Sequence, residues 1–305
     1  MIKKYILIAL SVLLFINCSR NEGVIEQLPE DTTETIYTLP VVVHIIHSGE
    51  EIGTGYNLSK ERIINQLKTL NGDFRKKVGT LGYNTHPLGT DAKIEFKLAE
   101  INPNGKPTDG ITRVDFNDVI IDTNGGWLFD DLPYYGYWDR KSYINIWVYP
   151  FKPNIVLGQS SVPFVDLPGL NDADPDGTTG ILITTPHFGV SEVASESNLG
   201  RTLTHEMGHF LGLEHLWGKT ENANCTSYDD YCNDTPSVAR RTGGCGGVPI
   251  ISCIGETVLT QNYMDYTKDS CMNMFTKDQV IRMRYVLKNS IVRKLLILSS
   301  AIDRN

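Results

Sequence analysis

Runs of apolar residues along the chain predict the elements of an α/β domain. Four of them are short enough to be strands and lie at residues 39–47, 93–101, 142–149 and 180–185. The first, LPVVVHIIH, is rich in β-branched residues and predicts a strand buried on both faces. A helix is predicted from Ser59, as its cap, to about Arg75, because the apolar residues between them recur at helical spacing.

Two more helices are predicted in the second half of the chain. One runs from Ser197 to Leu213, with Ser197 or Asn198 as its cap and a buried apolar side. The other is capped by Thr276 and runs through Asp278, Val280, Met283 and Val286. The connecting segments are rich in Gly, Asp, Asn and Pro, which is typical of surface loops.

The N-terminal 36 residues differ from the rest and predict an export signal. Lys3 and Lys4 precede an apolar stretch from Tyr5 to Ile16 that is too short to span a bilayer permanently. We therefore expect residues 1–18 to be a signal peptide and the protein to work outside the cytoplasm. Cys18 follows where a bacterial lipoprotein would be lipidated, so a lipid anchor is expected, with simple cleavage and release as the alternative.

Residues 19–36 are polar and acidic and show no apolar period, which indicates a tether or a short pro-segment. A flexible spacer is the simpler interpretation, although an acidic side chain such as Asp31 could act as a latch on an active site. We expect the catalytic domain to occupy residues 37–290, with an upper part at 37–212 and a lower part at 213–290. Residues 291–305 are expected to be a C-terminal tail.

Composition narrows the class of partner. A chain of 305 residues with 41% hydrophobic and 21% charged residues is ordinary for a globular protein. The net charge of −8 argues against nucleic acid or anionic membrane surfaces as partners, because phosphate binding requires basic patches. We expect a monomer without a membrane span.

The chemistry is concentrated in the segment LTHEMGHFLGLEH. His205 and His209 stand one helical turn apart on the same face, so both imidazoles can reach one metal ion. Gly212 then lets the chain turn, and His215 supplies a third ligand from beyond the helix. Three imidazoles favour Zn²⁺ and leave its fourth position open for water.

Glu206, next to the first histidine, is placed to act as a general base on that water. A bare H-E-x-x-H occurs by chance in many helices. The extended pattern H-E-x-x-H-x-x-G-x-x-H is much more specific, and it resembles the signature of the metzincin zinc peptidases.

A second segment, QNYMDY, strengthens that resemblance. In metzincins a tight turn carries a methionine beneath the metal, and Met264 has the corresponding place. Tyr266 corresponds to the tyrosine that in several metzincin families binds zinc at rest or donates a hydrogen bond to the tetrahedral oxyanion.

The region after His215 is cysteine-rich, with no C-x-x-C spacing, which favours disulfides over a second zinc site in an exported protein. Five cysteines there leave one odd thiol. Together with DYCNDTP and DSCMNMFTKDQVIRM, these motifs make the chain resemble the pappalysin family, in particular its compact ulilysin-like and cytophagalysin members, from about Leu39 to Met283.

The resemblance implies a metzincin α/β fold. An upper subdomain holds a twisted mixed sheet with backing and active-site helices, and a lower, irregular, disulfide-stapled subdomain ends in a helix. It implies that an extended substrate pairs with an edge strand, for which residues 180–185 are the candidate. It also implies disulfides Cys225–Cys253 and Cys245–Cys271, with Cys232 as a buried free thiol.

Two site assignments come from the resemblance alone. The acidic stretch binds structural calcium in these enzymes, and the candidate ligands here are Asp229, Asp230, Asp234 and Thr235. A solvated acidic loop is the alternative. Asp269 stands where an aspartate in the S1′ wall favours a basic residue after the scissile bond, so we expect a preference for Arg, then Lys.

The sequence therefore predicts a zinc-dependent endopeptidase acting on proteins or peptides outside the cytoplasm. A non-catalytic, zinc-containing surface binding protein is one alternative, against which the presence of both Glu206 and Tyr266 counts. A non-proteolytic zinc hydrolase is another, against which the methionine turn counts.

Overall fold

The computed structural model describes residues 28, 33–118, 129–150, 156–193, 195–221, 230–245 and 249–303. The predicted signal peptide, Cys18 and Asp31 lie outside these residues. Among the described helices, none combines the length and the apolar character needed to cross a bilayer.

A six-stranded sheet forms the centre of the domain. Its strands are β1 (Tyr37–His47), β2 (Ile94–Leu98), β3 (Ile111–Asp115), β4 (Ile144–Tyr149), β5 (Gly158–Ser160) and β6 (Ile181–Thr184). The order across the sheet is β2-β1-β4-β6-β5, and β3 pairs with the second half of β1. All neighbouring strands are parallel except β5, which runs antiparallel to β6. The mixed α/β fold class is confirmed.

The edge strand differs from the prediction. Residues 180–185 were expected to form the edge that pairs with substrate, but β6 lies between β4 and β5. The edge is instead β5, whose three residues, Gly-Gln-Ser, carry no hydrophobic pattern. The assignment was wrong because the fully apolar pattern of β6 indicates burial on both faces, which is typical of an interior parallel strand.

Two helices pack on one face of this sheet. They are α1 (Lys60–Phe74), capped by Ser59 as predicted, and α2 (Arg201–Phe210). Apolar side chains of β1, β4 and β6 meet those of α1 and α2 in the main core. Phe74 extends this core to the lower part of the molecule, since its ring lies 5.0 Å from that of Phe96 and 4.9 Å from that of Phe275.

The start of α2 also differs from the prediction. Neither Ser197 nor Asn198 caps it, because the helix begins at Arg201 after Gly200, whose φ is +84°. The carboxylate of Asp269 supplies the missing cap, accepting hydrogen bonds from the N–H groups of Leu199 (2.7 Å) and Arg201 (3.1 Å). A capping residue 68 positions away leaves no local signal in the sequence.

The described residues between 213 and 276 have little regular structure and precede α3 (Lys277–Asn289). Thr276 and Gln279 form a reciprocal capping box at its start, so the predicted cap is confirmed. Cys245 and Cys271 are joined in a disulfide, and Cys232 is a buried free thiol, as the resemblance implies. The other implied pair includes Cys225, which lies outside the described residues.

Residues 291–305 were expected to be a C-terminal tail. Their described part, residues 291–303, packs onto the domain and contains a short helix, α4 (Arg293–Leu296). The carbonyl of Ala301 accepts hydrogen bonds from the N–H groups of Glu100 and Ile101. The Arg293 guanidinium lies 3.7 Å from the centre of the Phe210 ring at the end of α2. Short 3₁₀ helices lie at Phe116–Asp118, Phe129–Tyr135 and Thr185–His187.

Candidate active site

Three histidine side chains converge at the end of α2. His205 and His209 leave the same face of the helix, and Gly212, with a φ of +93°, turns the chain so that His215 comes back towards them. The Nε2 atom of His209 lies 3.1 Å from Nε2 of His205 and 3.1 Å from Nε2 of His215. One ligand nitrogen from each of the three rings lies within 4.8 Å of the other two.

The hydrogen bonds of the rings prepare them to bind a metal. Nδ1 of His205 donates to the carbonyl of Tyr263, and Nδ1 of His209 donates to the carbonyl of Leu213, each at 2.7 Å. Because a carbonyl only accepts, each ring presents its Nε2 lone pair to the cluster. A tetrahedral zinc with Zn–N bonds of about 2.0–2.1 Å holds its ligand nitrogens roughly 3.3 Å apart, so the geometry fits this ion.

Burial keeps the rings neutral. It lowers the pKa of His205 to about 3 and that of His209 to about 4, and it also lowers the pKa of His215. All three imidazoles are therefore unprotonated near pH 7, the state in which they bind a metal.

A buried methionine packs against the helix that carries His205 and His209. Met264 is fully buried, and its carbonyl accepts a hydrogen bond from the N–H of Leu216. A Cβ placed on Gly208 would meet the Met264 sulfur at 2.5 Å, so the thioether packs directly against the bare backbone of α2. Met264 therefore packs against α2 at Gly208, which lies between His205 and His209 in the helix.

Glu206 lines the cleft beside the histidines, under the edge strand. Burial raises the pKa of its carboxyl to about 8. Gly158 of β5 makes room for it, because a Cβ there would lie 2.7 Å from Glu206 Cγ. The side chain is therefore desolvated next to the histidines and beneath the strand that borders the cleft.

Tyr266 closes the other side of the cluster. Its ring centre lies 4.9 Å from that of His215, 4.9 Å from that of Trp217 and 4.9 Å from the Arg241 guanidinium carbon. Trp217 also stacks on His215, with ring centres 4.5 Å apart and planes 8° from parallel. The tyrosine remains 40% exposed, so its phenol is accessible from the cleft.

A cleft passes on both sides of the histidines. One side is a cavity of about 420 Å³ bordered by β5 and lined by Glu206, Tyr266 and Asp269. The other, of about 370 Å³, is lined by His209, Glu214 and His215. Gly158 borders both, so an extended chain lying along β5 would pass the metal-binding nitrogens.

The active-site helix is anchored to α1 by a buried ion pair. Asp73 accepts a hydrogen bond from Nη2 of Arg201 at 3.2 Å and another from the hydroxyl of Thr204 at 2.7 Å. Burial raises the pKa of Asp73 to about 6, while the neighbouring Arg201 opposes that rise. Because Thr204 directly precedes His205, these bonds hold the helix in place next to the first histidine.

A family model decides the identification. The model for the M43 peptidases, described as pregnancy-associated plasma protein-A, matches residues 130–288, just over half of the chain. The chain belongs to the M43 peptidase family. It is a metalloendopeptidase, and the match contains the three histidines, Glu206 and Met264.

Several fungal proteins are similar to this M43 peptidase. It is 39% identical to extracellular metalloprotease 1 of Coccidioides posadasii over 242 residues, 79% of this chain and 73% of that protein. It is 30% identical to an extracellular metalloprotease of Colletotrichum graminicola over 253 residues, 81% and 74% of the two chains. A shorter match to an extracellular metalloprotease of Arthroderma otae spans 86 residues at 46% identity, 28% of this chain and 30% of that one.

Solved structures of a bacterial protein share the fold of the M43 peptidase. Mature mirolysin of Tannerella forsythia, in complex with a cleaved peptide, is 34% identical with a TM-score of 0.71, covering 87% of this chain and 96% of that chain. A promirolysin variant from the same organism is 32% identical with a TM-score of 0.74, covering 91% and 89%. The family named in the sequence analysis is thereby confirmed, and the metzincin family implies a catalytic zinc.

The calcium candidates are engaged in local hydrogen bonds. The Asp230 carboxylate accepts from the hydroxyl of Thr235 and the N–H of Cys232, and Asp234 Oδ2 accepts from the N–H of Asp278 at the start of α3. Asp229 lies outside the described residues. Within the part of the chain that is described, the three histidines are the only group of three or more ligand side chains close enough to hold a metal.

Sequence reasoning missed several residues of the M43 site. Gly158 was missed because its strand has no hydrophobic pattern. The Asp73–Arg201 pair was missed because its residues lie 128 positions apart in the sequence. Trp217 offered a signal, since it follows the third histidine by two residues. Asp269 lines the cavity, and its role as the cap of α2 was not foreseen.

Proposed function

We propose that this chain is an extracytoplasmic zinc endopeptidase in which His205, His209 and His215 hold the metal. The convergence of their three Nε2 atoms at the floor of an open cleft carries the proposal. Zinc bound there acts as a Lewis acid, which polarises a carbonyl oxygen and makes a water more acidic.

Glu206 handles the proton in this proposal. It takes a proton from the attacking water and delivers it to the nitrogen of the leaving amine. Its burial supports the role, because the raised pKa makes the ionised carboxylate a stronger base, and a zinc ion at the histidines would favour that ionised form. Gly158 supports it as well, since the space above Glu206 exists only because that residue has no side chain.

Tyr266 stabilises the charge that develops on the substrate. Its phenol donates a hydrogen bond to the oxyanion, and removal of such a donor typically costs about 10²–10³ in rate. The contacts with His215, Trp217 and Arg241 support this role, because they restrict where the ring can go. Met264 gives the histidines an apolar floor.

The substrate binds extended along β5. The inner edge of this strand pairs with β6. A peptide that pairs with its outer edge forms main-chain hydrogen bonds that do not depend on the substrate's side chains. This assignment replaces the one made for residues 180–185.

Asp269 sets a preference for Arg, then Lys, immediately after the scissile bond. Its carboxylate is buried at the cavity wall, where Oδ2 accepts from the N–H groups of Leu199 and Arg201 and the carboxylate can still pair with an incoming guanidinium. Replacement by Asn keeps an acceptor for the N–H groups at the start of α2 while removing the charge. We expect Asp269→Asn to lose the basic preference on a peptide library, and an unchanged preference would refute this role.

The decisive experiment on the reaction compares wild type with Glu206→Gln. Wild type is expected to cleave peptides, to be inhibited by a zinc chelator and to recover when zinc is restored. The variant is expected to bind one zinc per chain and to have almost no turnover. Comparable cleavage by both proteins would exclude Glu206 as the base, and zinc binding without cleavage by wild type would favour a non-catalytic binding protein.

The cellular location is part of the proposal. The fungal relatives are called extracellular metalloproteases, and residues 1–18 have the pattern of an export signal with Cys18 at its end. We propose export with a lipid anchor on Cys18, then a tether at residues 19–36 and a catalytic domain at 37–290. Mass spectrometry of the native N-terminus tests this, since a diacylglycerol adduct is expected and an unmodified terminus contradicts the anchor.

We also propose that a structural calcium ion binds the acidic loop that contains Asp229, Asp230, Asp234 and Thr235. It is supported by Asp234 Oδ1, which is buried without a hydrogen-bond partner among the described residues. Calcium is expected to raise the melting temperature of the zinc-loaded protein, and Asp234→Asn to reduce that rise.

A further inference from the structure

Arg241 is held at the rim of the cavity that contains Glu206 and Asp269. The chain segment that carries it is bonded to the methionine turn, because the N–H groups of Thr242 and Tyr266 both donate to Asp265 Oδ1, at 3.1 and 2.7 Å. The hydroxyl of Thr242 also donates to the Asp265 carboxylate. The position of Arg241 is thus set by the same turn that places Tyr266.

Two contacts fix the plane of the guanidinium. Nε and Nη2 of Arg241 donate to the two carboxylate oxygens of Glu221, at 2.7 and 3.1 Å, and the backbone N–H donates to the same carboxylate at 2.9 Å. Its carbon lies 4.9 Å from the centre of the Tyr266 ring. A guanidinium held on one edge and one face loses little further freedom when a ligand binds the remaining edge.

That remaining edge has unused donors. A guanidinium carries five N–H groups, of which Glu221 takes one on Nε and one on Nη2. Nη1 of Arg241 has no hydrogen-bond partner within the described residues. It can therefore bind an acceptor brought into the cavity.

Apart from Glu206, four other charged groups of this cavity wall have partners within the protein. Asp269 and Asp265 accept hydrogen bonds from backbone N–H groups, and Arg201 pairs with buried Asp73. Glu196 forms an ion pair with Lys268. Arg201 is buried, so Arg241 is the exposed arginine among the described residues that line this cavity.

We propose that Arg241 is a specificity-determining residue that binds an Asp or Glu side chain of the substrate, on the same side of the scissile bond as the residue that faces Asp269. The proposal rests on the peptidase function above and extends it. Together the two residues select a basic residue directly after the bond and an acidic residue further along. Because Arg241 is partly exposed and shares its charge with Glu221, the effect is moderate, about fivefold.

The test uses peptides with Arg fixed after the scissile bond and Asp, Ala or Lys at each of the next three positions. The measured quantity is the ratio of kcat/KM for Asp over Lys. Wild type is expected to give about five or more at one position, Arg241→Ala about one, and Arg241→Glu less than one. The matched control is Arg240→Glu, which makes the same charge change at an exposed neighbour that does not line the cavity.

Two results would overturn the proposal. One is an Asp-over-Lys ratio in Arg241→Glu equal to that of wild type. The other is an equal fall of the ratio in Arg240→Glu, which would assign the effect to net charge rather than to a bound carboxylate.

A binding measurement separates this proposal from the peptidase function. The same peptides, fluorescently labelled, are titrated into zinc-loaded Glu206→Gln with and without Arg241→Glu. If wild type cuts no peptide but Asp peptides bind in an Arg241-dependent way that weakens at high salt, the catalytic proposal fails and this one stands. If peptides are cut but neither the kcat/KM ratio nor the binding of Asp peptides depends on Arg241, this proposal alone fails. If peptides are neither cut nor bound, both proposals fail.

Discussion

Replacement of Gly208 by alanine tests how tightly the methionine turn packs on the active-site helix. Gly208 lies in the middle of α2, where alanine is normally favoured over glycine by about 1 kcal/mol. Helix propensity alone therefore predicts that Gly208→Ala stabilises the protein.

The structure predicts the opposite sign. The new Cβ would lie 2.5 Å from the Met264 sulfur and 3.3 Å from its terminal methyl. The Met264 side chain is fully buried, so it has little room to move away. The sulfur must move by roughly 1 Å to reach ordinary contact, and overpacking of this kind costs about 1–3 kcal/mol. The net result expected is a destabilisation of up to about 2 kcal/mol, which lowers the melting temperature by several degrees.

The assay is chemical denaturation of the zinc-loaded protein, together with kcat/KM on one peptide. Displacement of the methionine beneath His205 and His209 is expected to lower kcat/KM as well. Gly72→Ala in α1 is the matched control, since its Cβ would meet only the exposed side chain of Thr80, at 3.1 Å. If Gly208→Ala is stabilised as much as this control and remains fully active, the packing argument is refuted.

Three further outcomes are expected. Burial lowers the pKa of His44 to about 4 from 6.5, so its neutral form favours the fold, and stability falls by up to about 3 kcal/mol between pH 6.5 and 4. His44→Gln should show a shallower loss by denaturation over that range, and an equally steep one would exclude His44 as the cause. Replacement of both Cys245 and Cys271 by Ala should cost about 3 kcal/mol at their separation of 26 residues, and an unchanged denaturation midpoint would contradict this. Gly158→Ala should lower kcat/KM at least tenfold by displacing Glu206, with zinc content unchanged; wild-type kcat/KM would show that Glu206 does not need that space.

Much of the fold was predictable because its interior elements carry strong patterns. The strand β1 and the helix α1 follow from apolar runs and a serine cap, and α3 follows from Thr276. The strand β5 has only three residues, without an apolar side chain, and its place at the edge comes entirely from pairing with β6. Such an element is defined by its neighbours rather than by its own sequence.

The residues of the active site likewise fall into those that the sequence predicts and those that it does not. The three histidines and Glu206 lie within eleven residues, so helix geometry and one glycine turn were enough to bring them together. Residues such as Gly158 and Arg241 reach the cleft only through tertiary packing. Periodicity cannot show contacts of this kind, because they join segments with unrelated local patterns.

The central claim is that three imidazoles hold one catalytic zinc ion. It is tested most directly by anomalous diffraction at the zinc edge from crystals of the purified protein. The account predicts a single strong peak about 2.0–2.1 Å from Nε2 of His205, His209 and His215. A fully folded protein with no peak at that point, or with the metal bound by other side chains, would contradict it.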